Sequence, residues 1–407
     1  LGGYVPPLQK QESQVWTYDQ NIKKGEIYMG YILSDEAKDL LADVKKFCDN
    51  EVREQCKEYD VSGEFPAEIC KKAADMGLNA LEVPEELGGL GLDHITYAAL
   101  YEEMSKADAG LFTTMSAANL AMKPLLIAGT KEQQQRAADI LLNGGYGAFC
   151  LTEPMAGSDA SNNKTVAVKD GDEYVINGRK CFITNGPIAD FYIVTAMTDK
   201  SKGVNGMSAF FVEKGTPGLS AGNEENKMGI RTSATSDVIF EDMRVPASAM
   251  IGPDGTGFKT CMKTLDITRA LMGIGAVGIA QRAIDEAVAY AKTRITFGKP
   301  IGKFEAIQFM IADMDIKTET ARQMAVHALT LQEKGLPYNK ESAIAKCYAG
   351  DIAVEVALDA IQILGGYGYS REYPVEKLLR DAKIFQIYEG TNQIQRMVIS
   401  RAVMGKF

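Results

Sequence analysis

The chain has 407 residues, a length that calls for two or three domains, or one large layered fold, rather than one small core. Against 54 acidic residues stand 44 basic ones, and the net charge of −10 with no long basic run argues against nucleic acid or an anionic membrane surface as the main partner. Seven cysteines without a Cys-x-x-Cys pair and only two histidines, His94 and His327, leave little material for a disulfide framework, a metal site or a Ser-His-Asp triad.

No stretch reaches about 18 uninterrupted apolar residues, and no charged start leads into an apolar core, so no membrane insertion is expected. Reduced thiols suit a cytoplasmic protein. Because the first residue is Leu1, the alternative expectation is a mitochondrial matrix protein, if upstream targeting residues were removed.

Residues 1–32 carry Pro6, Pro7, Trp16, Tyr4, Tyr18, Tyr28 and Tyr31, and read either as an arm packing through its aromatics onto the body or another subunit, or as a disordered tail. From Ser34-Asp-Glu-Ala-Lys, a helix cap followed by first-turn acids, a helical pattern runs through Phe47, Val52 and Cys56. Further helical patterns cover 66–76, the stretch holding Tyr97, Leu100, Tyr101 and Met104, then 114–128 and 131–142. This predicts a helical N-terminal domain over 33–145.

At Gly144-Gly145 the pattern changes to short β-rich runs separated by turns such as Lys169-Asp-Gly-Asp172 and Ile176-Asn-Gly-Arg179. A small antiparallel barrel or sandwich is expected over 146–258. Helical patterns return across 257–293, 303–334, 338–366 and 374–406, and their lengths and short connections predict a four-helix bundle over 259–407. The expected fold class is mainly α with a β insert.

Gly273-Ile-Gly-Ala-Val-Gly278 is a literal GxGxxG, the pattern that holds a dinucleotide pyrophosphate between a strand and a helix. The residues on both sides form one amphipathic helical pattern, so close helix packing explains these glycines better than nucleotide binding.

Near the C-terminus, the helical spacing of Ile384, Ile387, Ile394, Met397 and Val398 is interrupted at Tyr388-Glu-Gly-Thr391. Glycine lets the backbone turn and lets a bulky group approach, and Glu389 between apolar neighbours is open to desolvation, which raises a carboxylate pKa and makes it a better base.

The run Ile387-Tyr-Glu-Gly-Thr-Asn-Gln-Ile-Gln-Arg396 resembles the C-terminal signature of the acyl-CoA dehydrogenase family, in which a catalytic glutamate stands at the position of Glu389. Four more segments resemble that family in order, and the likeness covers nearly everything except the N-terminal arm. Leu151-Thr-Glu-Pro-Met-Ala-Gly-Ser-Asp159 is similar to the flavin-binding segment. There Phe149, Leu151 and Thr152 match residues lining the isoalloxazine, and Ser158 matches a contact to cofactor and acyl-CoA; Met155, where glycine is common, is a departure. Lys180-Cys-Phe-Ile-Thr-Asn-Gly186 is similar to the second flavin segment, with Phe182 against the ring and the Thr184 hydroxyl near N5.

Arg294-Ile-Thr-Phe-Gly-Lys-Pro-Ile-Gly-Lys-Phe-Glu-Ala-Ile-Gln308 resembles the stretch that grips the FAD pyrophosphate and adenosine of a neighbouring subunit, with Arg294, Thr296 and Phe297 matched. Glu305 stands where Gln is usual, an acid expected to point away from a diphosphate or to pair with Lys303. Gln362-Ile-Leu-Gly-Gly366 matches the companion loop through Gln362, Gly365 and Gly366, and Thr391 and Gln393 join the cofactor set on the same resemblance. Asp266-Ile-Thr-Arg269 resembles the segment contacting CoA, with Arg269 the best charged candidate, and the resemblance also implies that Tyr388 and Gly390 bind the substrate.

The resemblance implies FAD as cofactor and α,β-dehydrogenation of an acyl-CoA to the trans-2-enoyl-CoA, or the reverse reduction. In that chemistry Glu389 takes the α-proton and flavin N5 the β-hydride. It further implies an electron-transferring flavoprotein as partner, a homotetramer, and no metal. Some family branches place the base at the position of Thr268, which cannot serve. Glutaryl-type members carry an arginine where Phe112 stands, so a neutral acyl chain is expected. A flavin oxidase or monooxygenase on the same fold, and a non-catalytic acyl-CoA binder, are the alternatives.

Overall fold

The computed structural model describes residues 27–28 and 30–405, so most of the N-terminal arm lies outside the described residues. Strands β1 (Ile27–Tyr28) and β2 (Tyr31–Ile32) form a small hairpin. Tyr31 is buried and its hydroxyl donates to Glu102 Oε2 at 2.7 Å, which anchors the end of the arm on the helical body.

Helix α1 (Asp35–Phe47) begins where the Ser34 hydroxyl accepts the Ala37 N–H, as the cap signal predicts. A π-helical turn, Cys48–Val52, carries it into α2 (Arg53–Ser62), which ends at the left-handed Gly63. Then come α3 (Ala67–Asp75), α4 (His94–Ala107), α5 (Ala109–Ala128) and α6 (Lys131–Leu142). By length and composition α5 could cross a membrane, yet 78% of its apolar window is buried inside the protein, as befits a core helix.

The middle segment holds β3 (Gly147–Cys150), β4 (Val166–Asp170), β5 (Glu173–Thr184), β6 (Phe191–Met197), β7 (Met207–Glu213), β8 (Leu219–Glu224) and β9 (Thr235–Pro246). They form one curled seven-stranded sheet ordered β3-β6-β4-β5-β9-β8, with β7 also on β6. The sheet is not purely antiparallel: β3 and β4 each run parallel to β6. Parallel neighbours need a crossover, and here the long 151–165 loop and the β4–β5 hairpin supply it. The hydrogen-bonded path of strands from β3 to β8 does not close on itself, so a curled sheet stands where a barrel was expected.

The third segment contains α7 (Gly257–Thr293), a two-residue-strand hairpin β10 (Ile295–Thr296) and β11 (Lys299–Pro300), α8 (Glu305–Glu333) and α9 (Asn339–Leu364). The expected fourth long helix is instead two short ones, α10 (Val375–Ala382) and α11 (Asn392–Met404), separated by a 3-10 turn and the Glu389 loop. A plain four-helix bundle is therefore not what forms. One continuous core runs from Leu41 and Val44 on α1 through Tyr101 on α4 and Phe112 on α5 to Ile274, Ala325, Ala353 and Leu378 on α7 to α10.

The glycines of the GxGxxG lie inside α7, not after a strand. A Cβ at Gly275 would stand 2.4 Å from the Phe112 ring and 2.8 Å from Phe385, and one at Gly278 would stand 2.7 Å from the Glu102 carbonyl oxygen. Gly275→Val should accordingly lower stability in urea melts by about 1–3 kcal/mol through overpacking, with no specific loss of nucleotide affinity.

A buried charge cluster ties the segments together. Lys377 Nζ on α10 donates to Asp108 Oδ2 at 2.8 Å and Asp381 Oδ2 at 2.6 Å. Asp108 also N-caps α5 and accepts from Thr232, while Asp381 accepts the Ile230 N–H at 2.6 Å. Arg380 adds a two-pronged pair to Asp60 on α2 and another to Glu376. Residues from α2, the α4–α5 junction, the loop before β9 and α10 thus meet at one point.

Candidate active site

The Glu389 loop sits between the turn after α10 and the start of α11. Glu389 has φ +52° and Gly390 φ +93°. A non-glycine residue in the left-handed region is strained by about 1–3 kcal/mol, and such strain persists only where surrounding contacts impose it. Here the contacts are visible: Gln395 Nε2 donates to the carbonyls of Glu389 (3.3 Å) and Gly390 (3.0 Å), and Lys346 Nζ donates to Gly390 O at 2.8 Å. Thr391 caps α11 by accepting the Ile394 N–H at 3.2 Å.

The turn aims the Glu389 side chain at α7, where Oε2 accepts from the Thr268 hydroxyl at 2.5 Å. Burial pushes the Glu389 carboxyl up to about 7, against the Thr268 hydrogen bond and the charges of Lys346 and Arg269. Tyr388 packs its ring on Phe385 at 5.1 Å between centroids, and its buried hydroxyl lies near Thr113 outside good hydrogen-bond geometry. Arg269 is buried and paired to Asp266, which also accepts from Asn339 Nδ2 at 2.8 Å. The expected CoA-binding charge is thus largely committed to its own helix.

The first two segments expected to bind flavin come together on the sheet. The Cys181 N–H donates to Thr152 O at 3.0 Å, joining the loop after β3 to β5. Beneath them Lys180, fully buried, donates to Glu153 Oε1 at 2.7 Å and Thr195 Oγ1 at 2.9 Å as well as to Asn163. Glu153 in turn takes the N–H groups of Lys164 and Thr165, so one buried ion pair shapes the whole 151–165 loop. Ser158 is exposed on its rim and Leu151 is buried.

The ladder between β5 and β9 slips between Lys180 and Ile183, and Phe182 is thrown out at φ +56° with 66% of its surface exposed. An aromatic ring held at a strained backbone position and left open is suited to stack on a planar group. Thr184 stands half-buried beside it, and Asn185 Nδ2 donates to Thr114 O at 3.0 Å, fastening this edge to α5.

The other residues expected at the flavin lie elsewhere. Arg294 ends α7, its guanidinium 5.6 Å above the Tyr367 ring, which brings it to the turn after Gln362, Gly365 and Gly366. Phe297 and Gly298, both at positive φ, make the two-residue β10–β11 turn, and the Phe297 ring is 91% exposed. Thr268 and Arg294 are on the order of 40 Å apart along the axis of α7 at 1.5 Å rise per residue. One chain therefore brings together Glu389, Thr268 and Tyr388, and separately Arg294, Phe297 and the Gln362 turn, but not both groups at one place. Gln393 is exposed on α11. Glu305 opens α8, where an acid suits the helix dipole, and no ion pair joins it to Lys303.

Lys346 and the hydroxyl of Thr268 as a donor to Glu389 escaped sequence reasoning. The signal for the first is a lone Lys in the apolar run Ala343-Ile-Ala-Lys-Cys-Tyr-Ala349 of a core helix.

Three family models match in order: the acyl-CoA dehydrogenase N-terminal domain over residues 34–145, the middle domain over 148–243 and the C-terminal domain over 255–404. The short-chain specific acyl-CoA dehydrogenase of Clostridium acetobutylicum is 45% identical over 360 residues, covering 88% of this chain and 95% of that protein. Butyryl-CoA dehydrogenase from Megasphaera elsdenii superimposes with a TM-score of 0.89 at 44% identity, covering 91% of this chain and 99% of that one. A chain solved in work on the electron transferring flavoprotein of Acidaminococcus fermentans and flavin-based electron bifurcation gives a TM-score of 0.90 at 46% identity, covering 92% and 99%. With all three segments matched and the fold shared over 91% of its length, the chain belongs to the acyl-CoA dehydrogenase family, and its activity is the FAD-dependent dehydrogenation of an acyl-CoA thioester.

Proposed function

We propose that Glu389 is the base that removes the α-proton from a short, neutral acyl chain held as its CoA thioester. The observation that carries this reading is a carboxylate on a strained turn, half-buried, with its pKa raised to about 7 by burial. A base matched to neutral pH takes a weakly acidic proton most effectively. Among the described residues no backbone carbonyl accepts the Glu389 N–H, leaving that donor for the thioester oxygen as negative charge develops there. Thr268 holds the carboxylate oxygen in place for the transfer.

The residues fit FAD: the open Phe182 ring, the Thr184 hydroxyl and the Thr152 loop would hold its ring system, and bound FAD supplies the hydride acceptor. A non-catalytic binder would have no use for a desolvated carboxylate at this place, and nothing in the site favours an oxidase.

The separation along α7 supports a further reading, that Arg294, Thr296, Phe297 and the Gln362 turn serve the flavin of a second copy. The assembly is then a dimer at least, and a homotetramer on the family pattern. An electron-transferring flavoprotein takes the electrons, a reading supported by the likeness to the chain from the Acidaminococcus fermentans work.

Anaerobic mixing of the FAD-loaded protein with a panel of acyl-CoA thioesters tests the activity. Short saturated acyl-CoAs should bleach the flavin, and the rate should rise with pH through about 7 as Glu389 loses its proton, since the protonated carboxyl cannot act as base. A flavin left oxidised by every thioester would refute the reading. For the assembly, sedimentation should show a dimer or larger; a monomer that keeps FAD tightly bound would overturn it.

A further inference from the structure

Four basic side chains among the described residues are buried: Lys180, Arg269, Arg322 and Lys346. The first three have carboxylate partners, Glu153, Asp266 and Glu102 respectively. Lys346, 1% exposed, has none within 4 Å. Its Nζ instead donates to two neutral oxygens, Gly390 O at 2.8 Å and Asn392 Oδ1 at 3.0 Å. A buried ammonium without a carboxylate is costly, and a methionine of similar length would fill the same space without that cost.

Both acceptors belong to the turn that carries Glu389. Asn392 is fixed further, its Nδ2 donating to Cys347 O at 2.9 Å and Asp351 Oδ1 at 2.8 Å. Asp351 is itself held by Gln386 and Arg396. The strained turn therefore hangs from α9 through Lys346, with Gln395 bracing the same carbonyl from α11.

We infer that Lys346 is a positioning residue for the proposed base: it holds the Glu389–Gly390 turn in its left-handed form and sets an ammonium with no carboxylate within 4 Å beside that turn. The groups facing Glu389 are Thr268 and Arg269 from α7, Lys346 from α9, and Glu82 from the loop after α3. Glu82 opposes ionisation, and Arg269 is paired to Asp266, so Lys346 is the uncommitted cation of the set. Those facing Lys346 are Glu389, Cys347 and Asp351, which favour its charge, and Arg269, which opposes it; burial dominates and brings Lys346 down to about 8.

The inference rests on Glu389 being the base, so Glu389→Gln is measured first: if that variant bleaches its flavin normally, the base assignment fails whatever Lys346 does. Given a silent Glu389→Gln, three FAD-loaded variants separate the roles of Lys346 by the pH dependence of substrate-driven bleaching. Lys346→Met removes donors and charge, and should slow bleaching about ten- to a hundredfold at pH 7. Without the cation Glu389 holds its proton more tightly, so the rise of rate with pH should move up by about 1 unit or more. Lys346→Gln keeps a donor without charge and should show the pH displacement with a smaller loss of plateau rate. Lys346→Arg should leave the pH limb where it is.

Thermal melts of the FAD-free chains accompany the kinetics. If Lys346→Met and Lys346→Gln both melt lower while their pH limbs coincide with the parent, Lys346 is only a packing residue and the inference is overturned. Should Lys346→Met fail to fold, the pH limb of Lys346→Gln decides alone.

Discussion

Glu389→Gln is expected to fold, bind FAD and bind acyl-CoA, yet to bleach its flavin roughly 10²–10⁴-fold more slowly than the parent chain, the range that a positioned general base contributes. Gln keeps the size and much of the polarity of Glu, and the backbone N–H proposed to meet the thioester is untouched. Thr268 would still donate to the amide oxygen, so the side chain has little reason to leave its place. Stopped-flow bleaching reads the loss, and a spectral shift on adding acyl-CoA without bleaching reads retained binding. Normal bleaching would mean that another group takes the proton.

The second large effect falls on stability. Lys377→Met leaves Asp108 and Asp381 buried and facing each other without their shared cation, a change expected to cost about 3–5 kcal/mol in urea unfolding. Burial already raises Asp381, with Asp108 adding to it, whereas Asp108 is kept below the usual range by Lys377, Thr232 and the Leu111 N–H despite its burial. A carboxyl whose folded pKa lies above its unfolded value stabilises the fold below the unfolded pKa and loses that contribution as pH rises. The variant should therefore recover part of its stability as pH falls from 7 toward 5, as one of the two acids takes a proton. A loss under about 1 kcal/mol would show that the cluster is solvated in the folded chain.

How much of this was legible in the sequence differs from element to element. Periodicity placed α7, α8 and α9 well because each buries a long apolar stripe, and it exposed the GxGxxG as a packing seam, since Gly275 and Gly278 lie against Phe112 and Glu102. The same method ran a single helix through 374–406, because Ile384 and Ile394 keep helical spacing across a break that depends on side chains from α9 and α11. The parallel pairing of β3 and β4 with β6 was likewise hidden: turn signals announce hairpins, and a parallel neighbour brought in by a long loop has no local signature. At the candidate site, residues were chosen by motif resemblance, but the distance between the Thr268 and Arg294 groups follows only from the course of α7.

That distance leads to a consequence for mixed populations of chains. If each flavin is held by the Phe182 edge of one copy's sheet and the Arg294 turn of another, damage at either place is shared out between sites rather than confined to the damaged chain. A dimer built from one chain altered at Phe182 and one altered at Arg294 would contain one site carrying both defects and one carrying neither. Two inactive proteins, unfolded together and refolded as a mixture, would then regain up to about a quarter of the parent activity, since random pairing makes half the dimers mixed and each has one intact site of two. Single-chain binding would give no recovery at any mixing ratio.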